Sequence, residues 1–386
     1  VKIFTLHPSP FTKKMLQKLY IAASSQHVGK TTSTLGLVAA FRKRGINVGY
    51  CKPVGQEVQE MGGLIADKDA HLFAKVMGFP LTSEIHSPVV LSKGVTSAYL
   101  DNPGGFDFRE RIRSASAFLH SQHDMVIYEG TGHPGVGSVV GLSNAEVAKM
   151  LGAPVILIVE GGIGNTIDRT SLCLAKFQQH EVPVMGVIVN KVFPEKTEQV
   201  RHYVGLKLAE MGLPILGILP YEKSMSFPIM QSIMDAVQGR VIFNEQNLDN
   251  WMEDFLSGSL VDTEKLLHSR NLLLIVSPKR IFSAIQKIQE FSLMHGFGHS
   301  PLSGIIITGD GMHEIPIKDY SRVHNYIRQY SLPVISSPLD PLGAAIKISK
   351  IEVKINVRTP WKAERAVEMI GRYVDLEAIL GGKVEK

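Results

Sequence analysis

Eight residues, Ser24-Ser25-Gln26-His27-Val28-Gly29-Lys30-Thr31, have the types and order of a phosphate cradle. They lie between an apolar run, Leu19–Ala23, and a helix-patterned stretch, Thr32–Arg42, so the spacing predicts a strand, a loop and a helix start. In such a loop backbone N–H groups turn toward an anion, and the helix N-terminus adds the positive end of its dipole. Lys30 is then set to reach the β- and γ-phosphates, and the Thr31 hydroxyl to meet the Mg²⁺ that travels with them. Ser24, Gln26, His27, Val28, Gly29, Lys30, Thr31 and Thr32 are accordingly the candidate nucleotide-binding residues. The competing reading is an ordinary strand-to-helix turn that contains Gly-Lys-Thr.

A phosphate loop needs further metal ligands and cations, and strand ends supply candidates. Glu129 follows the apolar run Met125–Tyr128 and opens a glycine-rich stretch, Glu129–Ser138. Parallel strands present ligands at their carboxyl ends, so Glu129 is expected to face the same crevice as Lys30. Asp67 and Asp69 precede the helical pattern Ala70–Met77; Asp67 reads as its cap, and Asp69 as a metal ligand or a cap. Thr31, Asp69 and Glu129 make the candidate metal set. Lys52 ends the run Val48–Cys51, and Pro53 keeps its backbone extended. Such a cation suits a carboxylate substrate or a transferring phosphoryl group, so Lys30 and Lys52 are the candidate catalytic residues. Asn190 ends the run Val184–Val189, where its amide could read an adenine edge or simply form a turn. Gly161-Gly162-Ile163-Gly164-Asn165 lacks the later acid of a dinucleotide fingerprint, since Asn190-Lys191 follows the next strand. Among 14 histidines no H-E-x-x-H motif occurs; His27 and His133 fall in the expected crevice loops.

Apolar, β-branched runs recur at Leu19–Ala23, Val48–Cys51, Met125–Tyr128, Pro154–Val159, Val184–Val189 and Ile215–Leu219, separated by helical patterns such as Ser143–Leu151 and Glu198–Met211. That alternation predicts an α/β fold with a mostly parallel sheet covered by helices on both faces, closing near Pro220. Beyond Pro220 a second series follows, with expected strands at Arg240–Phe243, Leu272–Val276, Ile305–Thr308 and Val334–Ser336. Helices are expected at Ile281–Met294, Ser321–Tyr330 and Trp361–Ile379. A chain of 386 residues exceeds one ordinary core, and the expected domains are 17–220 and a smaller α/β domain at 221–386. A formal charge of +5 without a dense basic tract argues against a nucleic-acid groove but suits small anions. Cys51 and Cys173 give no disulfide framework, no run is long enough for a membrane span, and Val1–Lys14 lacks the apolar region of a secretory signal. A cytoplasmic protein is expected.

Taken in order, Ser24–Thr31, Gly49-Tyr50-Cys51-Lys52-Pro53-Val54, Lys68-Asp69-Ala70, Tyr128-Glu129-Gly130-Thr131-Gly132 and Val187-Ile188-Val189-Asn190-Lys191 resemble the dethiobiotin synthetase branch of P-loop ATPases. Ser24 stands at the first position of the loop, as a small hydroxyl residue does in that branch. No lysine stands at Ser25, where chromosome-partitioning and division-site ATPases carry one. The resemblance implies ATP and Mg²⁺ as cofactors, Lys52 as a substrate lysine, Asp69 and Glu129 on the metal, and Asn190 at the adenine. The run Glu129–Ser138 with Leu142-Ser143-Asn144-Ala145 and Gly161–Gly164 resembles the N-terminal domain of long-form phosphate acetyltransferases. The region after Pro220 is similar to the DRTGG domain that follows there, although those five letters do not occur.

These resemblances imply a Mg-ATP-binding protein with a regulatory second domain, a nucleotide-dependent sensor or ATPase without the transacetylase domain, which is absent before Lys386. Two alternatives stand beside it: an ATP-dependent carboxylate or carbamate ligase of the dethiobiotin type, and an inert nucleotide-binding scaffold. The expected partners are a nucleotide, an anionic small molecule and a phosphate acetyltransferase-type enzyme, with no nucleic acid and no membrane. A homodimer is expected by analogy. Cys51 and Cys173 sit in no nucleophile turn, which argues against glutamine-dependent amidation.

Overall fold

A computed structural model describes residues 16–258, 262–311, 313 and 321–381. The expectation for Val1–Lys14 lies outside the described residues. The described residues fall into two compact units: 16–221 together with 355–381, and those between 222 and 354.

In the first unit six strands form one sheet: β1 (Lys18–Ala23), β2 (Val48–Cys51), β3 (Met125–Glu129), β4 (Val155–Glu160), β5 (Val184–Val192) and β6 (Ile215–Pro220). Their order is β6-β5-β4-β1-β3-β2, and every neighbouring pair is parallel. Alternation along the strands explains why both faces are covered. Tyr20, Val126, Tyr128, Val155 and Leu157 enter one core; Leu19, Ile21, Ile127, Ile156 and Ile158 enter the other. Helices α1 (Lys30–Lys43) and α2 (Lys68–Met77) cover the second of these cores. Helices α3 (Phe108–Gln122), α4 (Asn144–Leu151), α5 (Gly164–Gln179) and α6 (Thr197–Glu210) cover the first. The chain leaves β1 toward the β2 edge and returns through β3 before crossing to β4. The order therefore reverses at β1, and a crevice opens beyond its carboxyl end.

The boundary expected at 221–386 differs from the compact units at its far end. Residues 355–381 return to the first unit, where α7 (Pro360–Tyr373) packs along α1 and over β6. Apolar burial is the reason: Ala363, Ala366, Met369 and Ile370 of α7, with Leu376 and Ile379 beyond it, join the core of Leu35, Leu37 and Phe41. Gly36 makes the close helix approach, since a Cβ there would meet Ile370 Cγ1 at 2.3 Å and the Ala366 carbonyl oxygen at 2.8 Å. Past α7, Val374 bridges Gly217, and the Asp375 N–H donates to the Leu216 carbonyl at 2.8 Å. The helix expected over Trp361–Ile379 is thus interrupted there and resumes at Leu376–Ile379.

The second unit holds a sheet of β7 (Arg240–Phe243), β8 (Asp254–Ser257), β9 (Leu272–Val276), β10 (Leu302–Thr308) and β11 (Val334–Ser337), in the order β7-β11-β10-β9-β8. Only β7 runs antiparallel to its neighbour. Leu272, Leu274 and Val276 face a core with helix Ile281–Met294, while Leu273 and Ile275 face one with helices Met230–Ala236 and Pro341–Ser349. Strand β8 was not expected; its four residues begin with an aspartate, and pairing with β9 makes it a strand. Among the described residues no helix is long and apolar enough to cross a membrane.

Candidate functional site

The loop from β1 to α1 carries two residues with left-handed backbone, His27 at φ 61° and Gly29 at φ 90°. Gly29 is the residue before α1, where no side chain caps the helix and no acid stands in the first turn. The positive end of the helix is left without an anionic neighbour from its own first turn, as an anion site needs. Ser24 is buried and its N–H donates to the Ile158 carbonyl at 2.9 Å; Val28 is buried, Gln26 and His27 are exposed, and Gly29 to Thr32 are half-buried.

Asn190, at the carboxyl end of β5, reaches this loop. Its Nδ2 donates to the Val28 carbonyl at 2.8 Å and its Oδ1 accepts from the Lys191 N–H at 2.8 Å. The residue therefore holds the loop's backbone in this structure, a contact that its strand-end position in the sequence does not reveal.

Thr31, Lys52, Asp69 and Glu129 come together. Thr31 Oγ1 donates to Glu129 Oε1 at 2.7 Å, and Lys52 Nζ bonds the same oxygen at 3.2 Å and also Asp69 Oδ2. Glu129 is fully buried; its second oxygen, Oε2, accepts from the Tyr50 hydroxyl at 3.2 Å. Tyr50 stacks on Phe73 of α2 with centroids 3.6 Å apart. Sequence reasoning gave Tyr50 no role, yet it stands two positions before Lys52, on the same side of an extended chain.

Asp67 caps α2, accepting from the Asp69 N–H at 3.0 Å, while its other oxygen accepts from the N–H groups of Gln56 and Glu57 at 3.0 and 3.1 Å. That carboxylate braces the base of the hairpin Val58–Met61 and Leu64–Asp67, which joins Lys52 to Asp69 along the chain. The cap reading of Asp67 agrees with this geometry.

Burial and charge set the protonation of the group. Burial opposes the Lys52 ammonium, but Asp69 and Glu129 outweigh it and raise its pKa well above the ordinary lysine value. Burial likewise opposes ionisation of Asp69, and Lys52 outweighs it, so this carboxyl is held below the usual range. Glu129 is pushed up by burial, only partly offset by Lys52. Lys30 is lowered to about 8, first by burial and then by repulsion from Lys52. The thiols of Cys51 and Cys173 are both pushed up by burial, the latter to about 12, unlike activated nucleophiles.

The glycine-rich stretch after Glu129 is held by Asn144, at the start of α4. Its Oδ1 accepts from the Thr131 N–H at 2.9 Å and the Tyr20 hydroxyl at 2.8 Å; its Nδ2 donates to the carbonyls of Thr131 and His133 at 2.7 and 2.6 Å. All four hydrogen-bonding positions of the amide are used. Gly130 must lack a side chain, because a Cβ would lie 2.5 Å from Asn144 Oδ1. The Thr131 hydroxyl donates to the Val54 carbonyl and so ties this stretch to the segment after Lys52. His133 is exposed. The run Gly161–Asn165 opens α5, with the Thr166 hydroxyl donating to the carbonyls of Glu160 and Gly162 at 2.8 and 2.9 Å.

The donors offered by Thr31, Asp69 and Glu129 are all oxygens, which fits Mg²⁺, a hard cation bound through one or two carboxylates with phosphates and waters completing its shell. Among the described residues no three His, Cys, Asp or Glu side chains form a metal cluster by themselves, so the protein donors are a partial set.

A parallel sheet whose first strand feeds a Gly-Lys-Thr loop and helix at the point where strand order reverses defines a P-loop NTPase fold. The chain belongs to the AAA_26 family, described as an AAA domain, whose family model matches residues 17–228. It is 24% identical over 373 residues to a phosphate acetyltransferase of Pseudomonas putida, covering 93% of this chain and 51% of that protein. It is 26% identical over 247 residues to the ATP-dependent dethiobiotin synthetase BioD of Clostridium kluyveri, covering 62% of this chain and 99% of that protein. The chain spans about half the length of the phosphate acetyltransferases it matches. Among solved structures, the MinD cell division protein of Aquifex aeolicus aligns with a TM-score of 0.34 and 16% identity, over 53% of this chain and 83% of that one. The chain is thus a P-loop protein related to phosphate acetyltransferases and dethiobiotin synthetases.

Proposed function

We propose that this chain binds Mg-ATP and works as a nucleotide-dependent sensor or regulatory ATPase, its second unit acting as the regulatory, DRTGG-like part. The observation that carries the binding reading is the convergence of Thr31, Lys52, Asp69 and Glu129 beside an uncapped helix start whose first residue is Lys30. In this reading the loop from Ser24 to Thr32 cradles the phosphates, with Lys30 on the β- and γ-phosphates. Asn190 holds the loop while its second amide N–H meets the adenine edge. Thr31, Asp69 and Glu129 hold Mg²⁺, which supplies charge neutralisation at the transferring phosphoryl group. Lys30 and Lys52 add fixed positive charge there.

A second reading is an ATP-dependent ligase acting on a carboxylate or carbamate. It is favoured by one observation: the match to dethiobiotin synthetase covers 99% of that enzyme. Lys52 would then hold the substrate's carboxylate.

Calorimetric titration with ATP and ADP, with and without Mg²⁺, followed by phosphate release on the same sample, tests both. Mg-dependent ATP binding with slow turnover in the absence of a substrate supports the sensor. Release that appears only with a carboxylate or amine substrate supports the ligase. Binding without any turnover leaves a scaffold, and no binding removes the assignment. Light scattering on the same sample tests the homodimer.

A further inference from the structure

We propose that Lys52 is a built-in counter-ion of the Asp69 and Glu129 pair. In the free protein its ammonium keeps the two carboxylates closed to a bare divalent cation, and it leaves them only when a phosphate offers it another anion. This rests on the reading of the site given above.

Geometry comes first. Lys52 Nζ bonds both Asp69 Oδ2 and Glu129 Oε1, the two carboxylates that would hold the metal. Glu129 receives three donors in all, from Thr31, Lys52 and Tyr50. A divalent cation joining these carboxylates must displace a donor. Lys52 alone of the three is charged, and two cations sharing the same oxygens in a site screened from water repel strongly.

Burial decides where the ammonium can go. The side chain of Lys52 is 5% exposed and that of Glu129 is 0% exposed, so solvent is not at hand to receive a displaced charge. Its backbone is fixed as well: the Lys52 N–H donates to the His86 carbonyl at 2.8 Å, and Pro53 follows. Taking an ammonium from its carboxylates without replacing them is costly in such a place. A polyphosphate on the neighbouring loop is the replacement, and it also relieves the repulsion between Lys52 and Lys30.

The consequence is thermodynamic coupling. Metal and nucleotide each bind better in the presence of the other, because the nucleotide supplies the anion that Lys52 loses to the metal. A neutral residue at position 52 opens the carboxylates and removes that requirement.

Mn²⁺ binding to the full chain without nucleotide, followed by electron paramagnetic resonance, measures this in the wild type, Lys52→Met, Lys52→Gln and Lys52→Met/Asp69→Asn. The expected result is Mn²⁺ affinity about tenfold or more higher in Lys52→Met and Lys52→Gln than in the wild type, with the gain lost in the double variant. Equal affinity in wild type and single variants overturns the proposal, as does a gain that survives Asp69→Asn. Thermal unfolding of the wild type serves if the variants do not fold: Mg²⁺ alone should leave the midpoint unchanged, while Mg²⁺ with ATP should raise it more than ATP alone. A rise with Mg²⁺ alone equal to that with Mg-ATP overturns the proposal. Failure of the site reading looks different: the wild type then ignores Mg-ATP altogether, whatever the Mn²⁺ comparison gives.

Discussion

The side-chain amide of Asn190 lies so close to the backbone of Gly29 that a Cβ on Gly29 would sit 2.2 Å from Asn190 Nδ2. The same amide nitrogen bonds the Val28 carbonyl, so β5 clamps the loop that leaves β1 from across the sheet.

Gly29→Ala should therefore distort the loop for two separable reasons. One is the clash with Asn190; the other is the left-handed backbone, which costs a non-glycine residue about 1–2 kcal/mol. Adding Asn190→Ala should relieve the clash and leave the backbone cost. Urea unfolding of the two single variants and the double variant checks this; simple additivity would refute the contact.

Nucleotide binding should depend on Lys30 and on pH together. Lys30→Ala removes a charge-assisted contact worth about 1.5–3 kcal/mol, or roughly 10- to 100-fold in affinity. Burial sets the free-protein value of Lys30 at about 8, and a bound phosphate favours the ammonium. Affinity is then highest below pH 8 and falls, by up to about tenfold per pH unit, as pH rises above it. Calorimetry across that range reads the slope, which should vanish in Lys30→Ala.

The same shift predicts a stability trend in the free protein. The unfolded lysine titrates near the ordinary value of 10.5, above the folded value of about 8, so between them the unfolded chain binds more protons. The contribution of Lys30 to stability therefore improves as pH rises through that window. Comparing wild type with Lys30→Met by urea unfolding at pH 7 and pH 9.5 isolates it: the stability gap should move in favour of the wild type at the higher pH.

Asn144→Ala should unfasten the stretch after Glu129. It strands the Thr131 N–H and the Tyr20 hydroxyl in a buried setting, for an expected loss of about 2–4 kcal/mol. Asn144→Asp keeps both acceptor contacts and loses the two donated bonds to Thr131 and His133. Urea unfolding should rank the two variants with the alanine less stable; the reverse order would show that the donated bonds dominate.

Residues 355–381 should be required by the first unit. Gly36→Val forces a side chain into Ile370 and should cost about 1–3 kcal/mol. Ile370→Ala in the same chain should recover part of that cost by vacating the space. Independence of the two substitutions in a double-mutant cycle would argue against the packing of α1 on α7.

Local pattern carried much of this protein. Six apolar, β-branched runs marked the six strands of the first sheet, because residues buried on both faces of a parallel sheet must be apolar throughout. The loop from Ser24 to Thr31 was legible for a similar reason: its order of residues follows directly from its local task of turning a strand into a helix. Asp67 as a cap is equally local, two residues from the N–H it accepts.

Tertiary structure alone decided the contacts that join distant segments. Nothing near Asn190 in sequence points to Val28, 162 residues away, and nothing near Tyr50 points to Glu129, 79 residues away. Lys52 reads locally as a cation at the end of a strand; its place between Asp69 and Glu129 exists because β3 lies between β1 and β2. The return of α7 to α1 was likewise invisible, since an amphipathic helix records that one face is buried and not which surface buries it. The sequence by itself determined most of the elements and the chemistry each could offer, because those depend on neighbours along the chain. Packing decided which of those groups share one buried site, because that depends on which strands lie side by side.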